Sequence, residues 1–358
     1  MECCGKQIWT NLTKESLGRL VIERPDEVIR GEVKANWDAI AKPLDGMGRF
    51  EEMTAQIGAI TGDERLDLSE KAVLIFCADN GIVAEGVSQA GQEVTLAVVK
   101  SMAKNASSVG RMARFAGADT IPVDIGINSD LTIDGVLDKK IAHGTRDFLI
   151  EPAMSEEETL GAIETGIALV AECTDKGYRI LATGEMGIGN TTTSSAVAAA
   201  LLGCESALVV GRGAGLSDRG LARKREVVET AIKKYDLYKT DAFTVLRTVG
   251  GLDIAGLVGM CIGGALYHIP IVLDGVISMV AALVPGVREY VIASHRGKEP
   301  AVELLTKALS LYPVIDADLA LGEGTGAVMM FSMLDMALCI YHEETTFADI
   351  SVEQYERF

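Results

Sequence analysis

The sequence predicts an α/β fold in which helices cover both faces of a parallel sheet. Three observations carry this. Short apolar runs alternate with helical patterns along most of the chain. Several runs end in polar, glycine-bearing turns: "ADNG", "VDIGIN", "TGEMGIGNT" and "LDG". Apolar residues make up 48% of the 358, but aromatics only 5%, so the core must be built from Ala, Val, Ile, Leu and Met.

The elements follow in order. The first 65 residues read as polar and helical, with amphipathic spacing in "VKANWDAIAKPL" and "RFEEMTAQIGAI". "KAVLIFCADNG" is a strand, followed by one helical pattern over "EVTLAVVKSMAKNASSVGRMARFAG" and a second strand, "DTIPVDIGI". "SEEETLGAIETGIALVAECTDKG" is a helix that leads to a third strand, "YRILAT". Helices follow at "TTTSSAVAAALLG", "REVVETAIKKYDLY" and "TVLRTVGGLDIAGLVGMCIGGALYH". "IPIVLDG" and "REYVIAS" are strands. The stretch from Leu257 to Val287 is apolar enough to suggest a membrane span. His268, Pro270 and Asp274 interrupt it, so it reads as helix, strand, helix, and no membrane segment is expected.

A net charge of −18 with no basic stripe argues against a nucleic-acid partner. The seven cysteines (Cys3, Cys4, Cys77, Cys173, Cys204, Cys261, Cys339) include no CxxC and are odd in number, which fits reduced thiols in a cytoplasmic protein. The four histidines show no metal-ligand spacing, so no metal site is expected. The N-terminus lacks the pattern of a signal peptide.

Three glycine clusters carry the chemistry. In "GEMGIGNTTTSSA" a strand passes through glycines into a hydroxyl-rich helix start. Amides and the helix dipole there favour an anion beside Gly187 and Gly189. A plain strand-to-helix connection with Thr capping explains the same stretch. "VGRGAGLSDRGLARKREVV" sets Arg219, Arg223, Lys224 and Arg225 beside alternating glycines, either a phosphate contact or a solvated basic face. In "LGEGTGAVMMF", Glu323 lies between glycines just before an apolar helix. Partial drying there raises a carboxyl pKa and suits proton abstraction, although the helix dipole alone also favours an acid.

Taken together and in order, "TGEMGIGNTTTSSA", "VGRGAGLSDRGLARKREVV", "VGGLDIAGLVG…IPIVLDGVIS" and "LGEGTGA" resemble the nicotinate-nucleotide:dimethylbenzimidazole phosphoribosyltransferase family, and "AEGVSQAGQEVT" is similar to an earlier segment of it. The likeness spans roughly residues 35–340. It implies a Rossmann-like parallel sheet flanked by helices, with a small helical domain from both chain ends: residues 66–325 large, residues 1–65 plus 326–358 small. It implies transfer of 5-phosphoribosyl from nicotinate mononucleotide to a cobamide lower-ligand base. The products are an α-ribotide and nicotinate, and no cofactor is needed. The donor nitrogen is already cationic, so its departure needs no general acid or metal. The site must supply an anion cradle, a slot for an aromatic acceptor and a base.

By motif, Glu323 is implied as the base, Gly187, Gly189, Gly322, Lys224 and Ser294 as the phosphate and nucleotide contacts, and Ser88 and Gln92 as part of the acceptor slot. Glu185 falls at the ribose end, where a carboxylate favours a cationic transition state. Asn80 stands where the family usually has histidine, and Gly91 where it usually has proline. The acceptor is therefore a benzimidazole or purine or, alternatively, phenol or p-cresol, which gives an O-linked product. The resemblance implies a homodimer, or in the phenolic case a heterodimer with a related subunit. A non-catalytic partner subunit is the lesser alternative, against which the intact "GEMGIGN" and "LGEGTGA" speak.

Overall fold

The computed structural model describes residues 11–283, 287–342 and 345–357. After a short helical turn at Lys14–Gly18, helices α1 (Glu27–Ala39) and α2 (Arg49–Thr61) lead to strand β1 (Lys71–Ala78). Then come α3 (Glu93–Met102), α4 (Ser108–Phe115), β2 (Ala118–Gly126) and the short β3 (Leu137–Asp138). Helix α5 (Glu156–Asp175) leads to β4 (Ile180–Met186), followed by α6 (Asn190–Leu202), α7 (Asp218–Lys234) and α8 (Leu252–Leu266). The chain closes with β5 (Ile271–Leu273), α9 (Val276–Ala281), β6 (Val291–Ala293), β7 (His295–Gly297), β8 (Ile315–Leu319) and α10 (Thr325–His342).

Six strands form one parallel sheet in the order β3-β2-β1-β4-β5-β6. The order reverses direction between β1 and β4. At such a point the chain leaves neighbouring strands toward opposite faces, and a crevice opens at their carboxyl ends. β1 is buried along its whole length, which explains its unbroken apolar run.

The two faces are covered differently. On one, α5 and α8 approach until their backbones touch: a β-carbon on Gly166 would overlap the Gly256 carbonyl, and one on Gly259 the Ile163 carbonyl. On the other, helices from both chain ends meet. Trp37 of α1 is fully buried, donates from Nε1 to Thr54 Oγ1 of α2 at 2.8 Å, and lies 5.1 Å centroid to centroid from Tyr341 of α10. Val33, Ile57, Phe331 and Leu334 pack with them directly onto Val73 and Ile75 of β1.

Local signals set several boundaries. Asp26 caps α1 by accepting the Val28 and Ile29 amides. Ser155 and Glu158 form a reciprocal capping box on α5, and Arg146 grips the same Glu158.

The structure departs from the sequence reading at several places, among them residues 244–268, read as one helix and found as Ala242–Val249 and Leu252–Leu266. The pattern over residues 93–117 is two helices, broken where Asn105 takes a left-handed φ of 51°. β4 does not stop at Thr183 but pairs with β1 as far as Cys77↔Met186, so Glu185 sits on the strand and not in a loop. The parallel pair β7-β8 has no apolar alternation to announce it, since the middle of "IDADL" is exposed. The apolar stretch near residue 270 is helix, strand, helix, as expected. Among the described residues one helix, α10, is long and apolar enough to cross a membrane, and 56% of it is buried within the fold.

Candidate active site

At the carboxyl ends of β4, β5 and β6 a cavity of about 290 Å³ opens. β4 contributes Glu185 and Met186, the following turn Gly187 and Ile188, α6 Asn190 and Thr191, and the turn before α10 Gly322 and Glu323. A larger cavity of about 580 Å³ lies among α5, α6, α8 and α9. Its lining is almost wholly apolar, with only the Lys14–Asp241 pair at 3.1 Å to offer charge, so the chemistry belongs to the smaller one.

Glu185 is buried at one wall. Its Oε2 accepts Asn190 Nδ2, and the same Nδ2 reaches Asp253 Oδ2 at 3.1 Å. Asp253 is the second residue of α8 and fully buried. Burial first, and the Asp253 charge second, push the Glu185 carboxyl up to about 8, while the Asn190 hydrogen bond opposes them. Burial raises Asp253 itself to about 6. Near neutral pH burial thus favours the protonated form of Glu185.

Glu323 differs. It holds a left-handed φ of 62° between two positive-φ glycines and is half-buried. Its Oε2 is buried without a hydrogen-bond partner among the described residues. Burial raises its pKa, the Val109 amide pulls the other way, and the Asp274 charge adds to the rise. The turn is held from across the sheet. Asp274, just after β5, accepts the amides of Gly326 (2.8 Å), Ala327 (3.2 Å) and Gly324 (3.2 Å). It thereby caps α10 with a carboxylate from another element. The backbone of Gly322 comes so near Glu185 that a β-carbon there would stand 3.0 Å from Oε1. The two acids named from sequence thus share one wall.

The anion end is built from more than one motif. Gly189 begins α6 with a φ of 95°, and Gly187 must lack a side chain because a β-carbon would overlap the Ala78 carbonyl of β1. Several amides expected to be uncommitted are taken: Ile188 donates to Thr95 Oγ1, Asn190 to the Gly187 carbonyl and Thr192 to the Gly189 carbonyl. The positive charge comes from Lys224 of α7. It is fully buried and donates from Nζ to Thr191 Oγ1 at 2.8 Å, and burial lowers it to about 8.

Other named residues lie off the cavity. Ser294 is buried, its hydroxyl bonded to the Leu273 carbonyl at 2.7 Å and close to His295 Nδ1 at 3.0 Å. The neighbouring Gly297 and His295 line the cavity instead. Asn80 is fully buried beneath the floor, its Nδ2 on the Ile188 carbonyl at 3.4 Å. Gln92 donates to the Asn80 carbonyl at 3.2 Å and accepts Asn128 Nδ2 at 3.1 Å, and Ser88 Oγ accepts the Ala90 amide at 3.3 Å. The Ser88–Gln92 segment packs on the Gly211–Gly215 loop through Gln89 and the Gly215 carbonyl. Asp274, Asn190, Asp253 and His295 escaped the sequence reading. The "LDG" strand end was the one available signal, for Asp274.

Comparison with known proteins gives a consistent picture. A family model described as phosphoribosyltransferase (DBI_PRT) matches residues 22–352. The nicotinate-nucleotide–dimethylbenzimidazole phosphoribosyltransferase of Clostridium perfringens (strain ATCC 13124) is 40% identical over 337 residues, covering 93% of each chain. That of Acetivibrio thermocellus is 41% identical over 352 residues, 96% of this chain and 98% of its own. The crystal structure of CobT from Thermus thermophilus superposes with a TM-score of 0.87 at 34% identity, over 92% of this chain and all of that one. With two carboxyls lining one cavity, a buried lysine behind its Thr191, and this likeness over nearly the whole length, the chain belongs to the phosphoribosyltransferase family that includes the nicotinate-nucleotide–dimethylbenzimidazole enzymes.

Proposed function

We propose that the protein transfers 5-phosphoribosyl from nicotinate mononucleotide to a benzimidazole-type lower-ligand base. The bond between C1′ and the cationic pyridine nitrogen breaks, and nicotinate leaves with the bonding pair. The acceptor nitrogen's lone pair forms the new bond to C1′, and its N–H proton passes to the Glu323 carboxylate. Lys224 and Thr191 hold the donor phosphate. The Glu185 carboxyl, oriented by Asn190, turns an oxygen toward the ribose carbon and stabilises the positive charge that develops there. No cofactor enters this scheme.

The observation that carries the reading is the lining of the cavity: Glu185 and Glu323 share it with Lys298 and with Thr191, whose hydroxyl is backed by the buried Lys224 ammonium. The test is incubation with nicotinate mononucleotide and, in parallel, dimethylbenzimidazole, adenine, phenol and p-cresol, following free nicotinate. Release dependent on the benzimidazole supports the assignment. No release with any acceptor overturns it.

We place the protein in the cytoplasm, as its free thiols suggest, and read it as a homodimer. An outward apolar strip on α4 and α10 supports the second subunit: Phe115 is 88% exposed and Met336 61%. Sedimentation of Phe115→Asp should show monomer where the parent shows dimer.

A further inference from the structure

The anion end of the cavity already holds an anion of the chain's own. Glu299 follows β7 and directly precedes Pro300, which opens the helix Ala301–Leu309. Its Oε1 accepts the Gly213 amide at 3.1 Å. A β-carbon on Gly211 would overlap its Oε2. A β-carbon on Gly213 would lie 2.8 Å from Thr191 Oγ1 and 3.6 Å from Lys224 Nζ, so amide, hydroxyl and ammonium converge on one spot. The Glu299 charge is also what opposes the burial of Lys224. A carboxylate and a phosphate monoester ask for the same partners: N–H donors and a cation. Both bound there at once would repel as like charges at close range.

We infer that Glu299 is an internal stand-in for the donor phosphate, bonded to the Gly213 amide when the site is free and displaced from it when a phosphate monoester binds. The inference rests on the reading of Lys224 and Thr191 as the phosphate site. Glu299 thereby weakens donor affinity while holding the Gly211–Gly215 loop in its binding shape through the Gly213 amide. Position 211 must be glycine for the plug to fit, whereas Gly213 and Gly215 serve the loop's own shape, with φ of 52° and 104°. Release of the carboxylate toward the half-exposed side of the cavity leaves amide, hydroxyl and ammonium to the phosphate.

The experiment uses the full chain and calorimetric titration with inorganic phosphate and with nicotinate mononucleotide. Glu299→Gln keeps the shape and the acceptor for the Gly213 amide but removes the charge. It should bind both ligands about 10-fold more tightly, the effect of removing one like charge, with unchanged thermal unfolding. Lys224→Ala is the control. If phosphate binding is lost in Lys224→Ala but is unchanged or weaker in Glu299→Gln, the plug is overturned and the phosphate site stands. If Lys224→Ala binds phosphate as the parent does, the phosphate site itself fails. A structure of the phosphate complex should show the Glu299 carboxylate off the Gly213 amide; finding both anions on that amide would also overturn the inference.

Discussion

Glu185 and Glu323 each stand beside glycines in short, similar-looking motifs, yet the fold makes them different acids. Glu185 is fixed on a paired strand, largely buried at the cavity wall, and tied through Asn190 to a second buried carboxyl. Glu323 stands on a strained turn, half-exposed, with one oxygen unpartnered among the described residues. Burial favours the neutral form of the first, whereas the second keeps one oxygen without a partner among the described residues. Proximity to glycine in sequence does not decide this. What decides it is whether the backbone around the acid belongs to a sheet or to a turn.

The largest effect should come from the free acid. Glu323→Gln keeps its shape and removes its basicity. Turnover should fall about 10²- to 10⁴-fold, the range for a lost general base, while donor binding by titration persists. A variant with parental single-turnover release of nicotinate would erase the distinction between the two acids.

Glu185 should show itself in stability. Its folded pKa, about 8, exceeds the ordinary 4.5. Below pH 4.5 both folded and unfolded chains hold the proton and the group contributes nothing. Between there and pH 8 the unfolded chain releases its proton first, so stability declines as pH rises. Glu185→Gln should remove that decline and gain roughly 4 kcal/mol at pH 8 relative to pH 4.5. Chemical denaturation at both pH values measures it, and an identical pH slope in parent and variant would show that the carboxyl is already ionised.

Lys224 belongs to neither acid, so it separates the donor end from both. Losing its charge-assisted contact, worth roughly 1.5–3 kcal/mol, should weaken donor use about 10- to 100-fold and leave acceptor affinity alone. Equal loss for both ligands would mean that the cavity has one undivided site.

Asp253→Asn should have the smallest effect. It removes the second cause of the Glu185 rise and leaves the first, burial. The Glu185 carboxyl should titrate about one unit lower in the infrared C=O band. No movement would assign the whole rise to burial.

Much of this was legible in the chain. Parallel sheets bury both faces of a strand, and β1 and β4 announce themselves as continuous apolar runs. Glu323 and Lys224 drew notice because each stands in a local oddity, an acid between glycines and basic residues in an acidic chain, but the roles expected of them came from the family resemblance. Asn190, Asp253 and Asp274 were not, because their partners lie on elements far away in sequence. Asp274 in "LDG" looks like a turn residue, and only the fold reveals that it caps a helix beginning 51 residues later. Ser294 was misplaced for a related reason. A hydroxyl near a site attracts notice, but the end of β6 turns this one onto a carbonyl, and Gly297 faces the cavity.

The contact between α5 and α8 has a mechanical meaning. With Gly166 and Gly259 pressed backbone to backbone, α8 has no slack along its middle. Asp253 rides at its first turn, so the rod's tilt sets how far that carboxyl stands from Asn190 and Glu185. A single methyl at position 259, near no reacting atom, would pry the rod outward. The ionisation of Glu185 is thus governed partly by a steric fulcrum well below the site, and drift at that fulcrum would retune the enzyme without touching a residue that meets substrate.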